Sequence, residues 1–190
     1  MSSSDFDHWQ ERFASEEYRF GTAPNAFLAS QVKRLPKAGK ALAIADGEGR
    51  NGVFLAEQGL DVLSLDFSSN AQVKARKLAA ARGVTIRTEQ ADVVNWAYPA
   101  ATFDVVAAIF FQFAGPADRA KIFAGIKRTL KPGGLLLLEG YTPKQLVYKT
   151  GGPSKLENLY TRELLQAAFG DFSSLDIRDY EAELHEGAGH

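Results

Sequence analysis

The sequence predicts an α/β domain in which helices cover both faces of a mostly parallel central sheet. From Lys40 onward, short apolar runs alternate with segments of helical periodicity, and strands that alternate with helices pair in parallel. The chain has 190 residues, which suits one domain with a sizeable core. Its apolar fraction of 45% and charged fraction of 24% are those of an ordinary globular protein.

Residues 1–36 are predicted to form a helical cap that precedes the core at 37–190. Trp9 and Phe13 are four residues apart, so they share one helical face. A Gly-Thr-Ala-Pro break ends at Pro24, which suits the start of a second helix. That helix carries the apolar residues Phe27, Leu28, Val32 and Leu35.

The first half of the core is predicted to hold three strands and two helices. Ser68 or Ser69 is predicted to cap the start of the second of these helices. The helix is predicted to end at Arg82, because Gly83 then occupies the position that favours a left-handed residue. The predicted strands are the runs 41–45, 61–66 and 84–88.

The second half repeats the alternation and then becomes less regular. A helix with Ile122, Phe123 and Ile126 ends at a Lys-Pro-Gly-Gly turn, and Thr161 caps a short helix that reaches Phe169. The remaining predictions are strands at 102–111 and 135–139, a loop at 141–159, and a charge-rich edge strand at 172–184.

Composition excludes several classes of function. The net charge is −1, from 22 basic and 23 acidic residues, which argues against a nucleic-acid partner. There is no cysteine, and the three histidines lack metal-ligand spacing, so no metal site is predicted. The N-terminus lacks a signal-peptide pattern, and the apolar runs 105–111 and 135–138 are too short to cross a bilayer. We therefore expect a cytoplasmic protein without a membrane partner.

A glycine-rich turn carries the main functional signal. Residues 47–52 read Gly-Glu-Gly-Arg-Asn-Gly, follow the first predicted strand and open a helix, while Asp66 ends the next strand. In dinucleotide sites such glycines let the backbone approach the ligand, and the carboxylate accepts hydrogen bonds from ribose hydroxyls. The pattern predicts a Rossmann-like site for an adenosine-type cofactor. The alternative is a tight turn without a ligand.

Other features favour S-adenosylmethionine over a nicotinamide. Asp92 follows the third strand, where it either meets the adenine amino group or caps a turn. Phe110 and Phe111 end the fourth strand and could flank a flat ring. The chain lacks the Tyr-x-x-x-Lys pair and the second domain that would support an NAD(P)-dependent oxidoreductase, which stays the first alternative.

The sequence resembles the class I S-adenosylmethionine-dependent methyltransferases of the tellurite-resistance and thiopurine-methyltransferase-like group. The resemblance runs from about Trp9 to the C-terminus and lies in the segments 9–13, 17–25, 47–51, 54–59, 65–66, 130–134, 151–153 and 185–187. It implies S-adenosyl-L-methionine as cofactor and S-adenosyl-L-homocysteine as product. It also implies a small-molecule methyl acceptor, often a soft sulfur, selenium or tellurium centre, and we expect a monomer or homodimer.

The resemblance and the turn together predict the cofactor-binding residues. Arg50 is expected either to face the cofactor carboxylate or to be an exposed cation, and Asn51 to stabilise the turn. The full set is Ala45, Asp46, Gly47, Glu48, Gly49, Arg50, Asn51, Asp66, Phe67, Ser68, Ala91, Asp92, Val93, Ile109 and Phe110.

Two departures from the group's pattern stand out. The positions that usually hold an acidic residue before the first glycine are Ala43 and Ala45, so we hypothesise that Asp46 contacts the amino end of the cofactor. The rival expectation is weaker cofactor binding. The group also continues into a final apolar strand, whereas this chain stops at His190. The strand is therefore expected to be truncated, absent or supplied by a partner.

Catalysis of methyl transfer needs mainly alignment of acceptor, methyl and sulfur, which is worth on the order of 7–11 kcal/mol. His185 and Tyr141 are the catalytic candidates, and His185 could orient or deprotonate the acceptor. The acceptor contacts are predicted at Trp9, Tyr18, Phe20, Gln112 and Tyr141, and packing of an N-terminal helix is the alternative for the aromatic residues. A second alternative for the whole chain is a catalytically degenerate methyltransferase fold that acts as a binding module.

Overall fold

Five strands form one parallel sheet in the computed structural model, which describes residues 9–149, 151–183 and 186–187. The order across the sheet is β3-β2-β1-β4-β5, and every neighbouring pair is parallel. The strands are β1 Lys40–Ile44, β2 Asp61–Asp66, β3 Arg87–Gln90, β4 Phe103–Ile109 and β5 Leu130–Glu139. The predicted α/β class is confirmed. The strand order reverses between β1 and β4, which is where open α/β sheets bind ligands.

The helices begin where the sequence supplies a cap. The Ser68 side chain accepts a hydrogen bond from the Ala71 N–H, and the Thr161 hydroxyl accepts one from the Leu164 N–H, as predicted. Asn25 caps the helix that begins at Ala26, two residues after Pro24. The helices are α1 Ala26–Ser30, α2 Arg50–Glu57, α3 Ser69–Ala81, α4 Pro116–Thr129, α5 Gln145–Tyr148 and α6 Arg162–Phe169, with 3-10 turns at Val32–Arg34 and Leu156–Asn158.

Two apolar cores lie on opposite faces of the sheet, because successive strand residues point in opposite directions. Leu42 and Ile44 of β1 join the core that contains Ile122 and Ile126 of α4. Ala41 joins the other core, which contains residues of α2 and α3 such as Val53, Leu55, Ala75 and Leu78. Helices therefore cover both faces, and the carboxyl ends of the strands stay at one edge of the sheet.

The C-terminal part differs from the prediction. The strand expected at 172–184 is wrong for the described residues, since 172–183 contain no strand. Charged side chains of this stretch pair with one another and with the rest of the chain, as Asp176 does with Arg178 and Arg34. Within the described chain β5 is the edge strand on this side, and a wide groove separates it from residues 172–183.

Smaller differences concern element boundaries. β3 begins at Arg87 instead of residue 84, and β5 begins at Leu130 because Leu130 already pairs with Phe103 across an irregular register. The predicted loop 141–159 contains α5 and one of the 3-10 turns. In the part of the chain that the structure describes, no helix has both the length and the apolar character needed to cross a membrane.

Candidate functional site

The turn between β1 and α2 places its backbone in the left-handed region at several residues. Ala45 has φ 49°, Gly47 has φ 56° and Gly49 has φ 86°. A left-handed conformation is uncommon for a residue with a side chain, and such strain concentrates at ligand sites. Ala45 directly follows β1, at the point where the sheet order reverses, so the strain coincides with the expected crevice.

Each glycine of the turn meets a different constraint. A Cβ at Gly49 would lie 2.5 Å from the Ala75 Cβ, so this glycine permits α2 to pack on α3. A Cβ at Gly52 would overlap the Asp46 carboxylate. A Cβ at Gly47 would lie 3.5 Å from the Phe13 ring, and it would meet no other group of the described chain within 4 Å. Among the described residues, Phe13 is therefore the group that lies over Gly47.

Asp66 lies at the end of β2, directly beside this turn. Its Oδ2 accepts a hydrogen bond from the Gly47 N–H at 2.8 Å, and its Oδ1 accepts one from the Ser68 N–H at 2.9 Å. Only 4% of Asp66 is exposed, and burial raises the pKa of its carboxyl to about 6. Backbone donors of two loops thus hold the carboxylate beside the turn, and its role as a ribose ligand stays a prediction.

The Asp46 side chain forms hydrogen bonds that stabilise the turn between β1 and α2. Its carboxylate accepts hydrogen bonds from the Ser64 hydroxyl at 2.7 Å and from the Gly52 N–H at 3.1 Å. Burial raises the pKa of this group to about 7. These contacts direct the Asp46 side chain into the β1–β2–α2 junction, so the structure does not support the hypothesis that this side chain reaches the cofactor's amino end.

A buried ion pair joins the turn to the N-terminal segment. Glu48 pairs with Lys74 of α3 at 2.7 Å, and the two side chains are 2% and 8% exposed. The Phe20 N–H donates to Glu48, while the Lys74 ammonium also donates to the Glu17 carbonyl at 2.7 Å. The pairing of Lys74 with Glu48 was not predicted, because the two residues lie 26 positions apart and only the fold brings them together.

Residues 9–20, here called the cover, pack over the turn between β1 and α2. Phe13 is buried against Gly47, and Trp9 stacks on Phe13 with ring centroids 5.6 Å apart. Gln10 bonds to the hydroxyls of Ser68 and Ser69 at the start of α3. Phe13 is therefore the ring of the cover that contacts the turn, and a cap over a cofactor stays a prediction for this segment.

The neighbouring end of β4 provides the second part of the crevice. Phe110 has φ 51°, so it too adopts the left-handed conformation, one strand away from Ala45. The Phe110 ring lies 4.6 Å from the Tyr141 ring, and the Phe110 N–H donates to the Glu139 carbonyl at 2.9 Å. An open cavity is lined here by Phe20, Arg50, Phe110, Glu139, Tyr141 and Glu186. Phe20 and Tyr141, two of the residues predicted to contact the acceptor, both line this cavity.

A cluster of charged and amide groups crosses this cavity. Arg50 pairs with Glu186 at 2.7 Å, and both side chains are buried. Asn25 donates to Glu139 at 2.7 Å and to Glu186 at 3.2 Å. Burial would raise the pKa of Glu186, but the Ala26 N–H and the Arg50 charge lower it. The alternative that Arg50 is an exposed cation is therefore wrong.

Two of the residues predicted to contact the acceptor donate hydrogen bonds to backbone carbonyls. The Gln112 amide donates to the carbonyls of Tyr141 and Asn158 at 2.9 and 3.0 Å, so it ties two loops together from a buried position. Tyr18 packs toward α3, where its hydroxyl donates to the Lys74 carbonyl at 3.1 Å. Backbone groups therefore occupy polar atoms of both residues, and acceptor contact stays a prediction for them.

Other predicted residues have mixed outcomes. The Asp92 carboxylate accepts hydrogen bonds from the Val94 N–H and the Asn95 amide, so it caps a turn, and an adenine contact stays a prediction. Asn51 accepts a hydrogen bond from the Asn25 N–H at 3.0 Å and thereby holds the N-terminal segment against α2. His185 lies outside the described residues.

Comparison with known proteins identifies relatives of the central segment. Residues 41–134 match the family model described as a methyltransferase domain. Over 114 residues the chain is 33% identical to the demethylmenaquinone methyltransferase of Thermus thermophilus, an alignment that covers 59% of this chain and 50% of that protein. The chain therefore spans about half the length of this relative.

Two solved structures share the fold. PH0226 of Pyrococcus horikoshii has a TM-score of 0.66 at 23% identity, covering 82% of this chain and 82% of that chain. TehB of Haemophilus influenzae has a TM-score of 0.68 at 18% identity, covering 94% of this chain and 59% of that chain. At these identities the likeness concerns the fold alone, and it confirms the predicted Rossmann-like architecture.

Proposed function

We propose that this chain, whose residues 41–134 form a methyltransferase domain, transfers a methyl group from S-adenosylmethionine to a small-molecule acceptor. One observation carries the proposal. Within the described ranges, only the Phe13 ring lies within 4 Å of a Cβ built at Gly47, and the Gly47 N–H is held 2.8 Å from the Asp66 carboxylate. A backbone that approaches without a Cβ, next to a carboxylate at the end of β2, suits an adenosyl group.

Residues at the carboxyl ends of different strands are proposed to contact different parts of the cofactor. Asp66 is positioned to accept hydrogen bonds from ribose hydroxyls, and the turn 47–51 offers backbone N–H groups at the start of α2. The predicted adenine contacts at 91–93 follow β3, on the same side of the sheet. Admission of the cofactor requires Phe13 and the rest of the cover to move away from Gly47.

The methyl-transfer end faces the cavity lined by Arg50, Phe110 and Tyr141. When bound, S-adenosylmethionine supplies an activated methyl group on a positively charged sulfur. The aromatic rings of Phe110 and Tyr141 suit a cation, because the faces of aromatic rings attract positive charge. Such a pocket can hold an acceptor in line with the methyl group, and alignment of this kind can contribute on the order of 7–11 kcal/mol.

The acceptor that we propose is a soft centre, namely a thiol, selenium or tellurium compound. The motif resemblance to the tellurite-resistance and thiopurine-methyltransferase-like group supports this class. The Thermus thermophilus relative is named for demethylmenaquinone, but this chain spans about half of it, so an aromatic carbon acceptor is an outcome of the test. Aromatic rings at 20, 110 and 141 suit a small acceptor of either kind.

Calorimetric titration with S-adenosylhomocysteine tests the cofactor assignment. We expect binding by the unchanged protein, and a loss of about tenfold or more in Asp66→Asn, because an ionised carboxylate makes the stronger hydrogen bond. Asp61→Asn is the matched control, since Asp61 is the exposed residue at the opposite end of β2. NADH should not bind. Binding of NADH in place of S-adenosylhomocysteine, or equal affinities in both variants, would contradict the proposal.

Product analysis tests the acceptor class. The protein is incubated with methyl-labelled S-adenosylmethionine and separately with alkyl thiols, selenite, tellurite and demethylmenaquinone. We expect label in methylated thiol, selenium or tellurium products that requires the intact Asp66. Label only in the menaquinone would leave the methyltransferase assignment standing and overturn the acceptor class. Clean cofactor binding without any labelled product would favour a binding module.

A further inference from the structure

Glu139 is the last residue of β5, and its side chain reaches the acceptor cavity. One carboxylate oxygen accepts a hydrogen bond from the Asn25 amide at 2.7 Å, and the other accepts one from the Tyr180 hydroxyl. The residue is half-buried. The carboxylate is therefore held in a defined orientation by two neutral donors that come from opposite ends of the chain.

The backbone around Glu139 is anchored to the strained end of β4. The Phe110 N–H donates to the Glu139 carbonyl at 2.9 Å, and Phe110 itself has φ 51°. Tyr141 lies two residues after Glu139, and its ring centroid is 4.6 Å from that of Phe110, with the two rings tilted by 31°. The carboxylate consequently belongs to the same wall of the cavity as the two rings proposed to surround the reacting groups.

The charge of Glu139 has no close counter-ion in the described part of the chain. The neighbouring cation Arg50 pairs with Glu186 at 2.7 Å, whereas no lysine or arginine of the described ranges lies within 4.0 Å of the Glu139 carboxylate. Burial raises the pKa of Glu139, and the hydrogen bonds from Tyr180 and Asn25 lower it by less. A carboxylate of raised pKa that faces a ligand cavity is suited to receive a proton.

We propose that Glu139 is a catalytic residue that contacts the methyl acceptor and takes its proton, so that the acceptor is a thiol bound in its protonated form. This inference rests on the proposed function. The sulfur–carbon bond of the acceptor forms as the carbon–sulfonium bond breaks, and the sulfonium sulfur keeps the electron pair. The thiol proton passes to the Glu139 carboxylate. The products are the methyl thioether, neutral S-adenosylhomocysteine and protonated Glu139, so charge and atoms balance.

The surrounding groups define the pH dependence. Glu139 faces Asn25 and Arg50 from the N-terminal half, Tyr141 after its own strand, and Tyr180 and Glu186 from the C-terminal segment. The pKa of Tyr141 is raised to about 12, so this tyrosine stays neutral at ordinary pH. The rate should rise with pH as Glu139 ionises and then reach a plateau, because the ionised carboxylate is the form that accepts a proton.

Thiols of graded acidity test the role of Glu139. In Glu139→Gln the rate with an alkyl thiol, which is mostly protonated at pH 7, should fall about 10²- to 10⁴-fold. The rate with 4-nitrothiophenol, which is already ionised, should change little. Glu139→Asp should restore part of the alkyl thiol rate. The rising limb of the pH profile should be present in the unchanged protein and absent in Glu139→Gln.

Two controls separate this proposal from loss of folding or of cofactor binding. Glu163→Gln makes the same chemical change at an exposed position of α6 and should leave both rates unchanged. S-adenosylhomocysteine affinity and the unfolding midpoint should be retained in Glu139→Gln. An equal fall with both thiols would show a merely structural role and overturn the proposal. Cofactor binding without methylation of either thiol would also overturn it, whereas absence of cofactor binding would refute the proposed function itself.

Discussion

Arg50 and Glu186 form an ion pair of 2.7 Å in which the two side chains are only 8% and 9% exposed. Arg50 opens α2, and Glu186 belongs to the C-terminal segment, 136 positions later in the chain. Glu186 also accepts a hydrogen bond from the Ala26 N–H at 2.9 Å. The pair therefore joins the glycine-rich turn, the N-terminal segment and the C-terminal segment at one point beside the open cavity.

Removal of Glu186 should destabilise the fold. We expect Glu186→Ala to lower the free energy of unfolding by about 3 kcal/mol, because it leaves the Arg50 guanidinium buried without this carboxylate. Urea unfolding measures the change. Asp61→Ala breaks the exposed pair with Arg87 and should cost less than about 1 kcal/mol. Equal costs in the two variants would contradict the assignment of a buried, structural pair.

Asp46 should make stability fall as pH rises. Its folded-state pKa of about 7 lies above the ordinary value of 3.8, so the folded protein binds a proton that the unfolded chain has released between these values. The full difference amounts to about 4 kcal/mol, since each pKa unit corresponds to about 1.4 kcal/mol. Asp46→Asn should flatten the decline in unfolding free energy measured by urea at pH 5 and pH 8. Some slope should persist because Asp66 shifts in the same direction. An unchanged slope would show that the Asp46 carboxyl titrates normally.

Gly49 should tolerate no side chain. Gly49→Ala combines φ 86° with a Cβ placed 2.5 Å from the Ala75 Cβ, so α2 and α3 must separate. We expect a loss of more than about 2 kcal/mol, measured by thermal unfolding. Gly83→Ala is the matched control, because Gly83 has φ 69° but nothing within 4 Å of its Cβ position among the described residues. It should cost about 1 kcal/mol. Similar losses at both sites would mean that backbone strain, not helix contact, restricts Gly49.

Gln10 should control how fast the cover opens. Gln10→Ala removes the side-chain bonds to Ser68 and Ser69, each worth about 1 kcal/mol. Association and dissociation of S-adenosylhomocysteine should both accelerate about fivefold or more, as followed by stopped-flow tryptophan fluorescence. Gln166→Ala on the exposed surface of α6 should change neither rate. Unaltered rates in Gln10→Ala would show that residues 9–20 do not limit access.

The helices and inner strands could be predicted because their signals are local. Ser68 and Thr161 cap helices as expected, since a hydroxyl can satisfy a backbone N–H two or three positions ahead. β2 was predicted with its observed bounds, because its apolar run is bordered by turn residues. The segment 172–183 was mistaken for a strand, since charge density alone does not distinguish an edge strand from an irregular chain that crosses the surface.

The candidate site could be predicted in part. Asp66 and Gly47 belong to one spaced motif, so the sequence alone places them together. Glu139 was missed, although its position at the end of an apolar run of leucines is the signal that could have found it. Asp46 was assigned to the wrong partner, because its contacts with Ser64 and Gly52 depend on how β1, β2 and α2 meet.

Sequence pattern by itself determined the α/β class, the glycine-rich turn after β1 and the carboxylate at the end of β2, because all three follow from periodicity and short spacing along the chain. Tertiary structure alone decided which side chains surround the open cavity. Asn25, Glu139 and Glu186 are separated by more than 40 positions from one another, yet they meet within hydrogen-bond distance of one amide. Their meeting depends on parallel strands that bring loops from distant parts of the chain to one edge of the sheet.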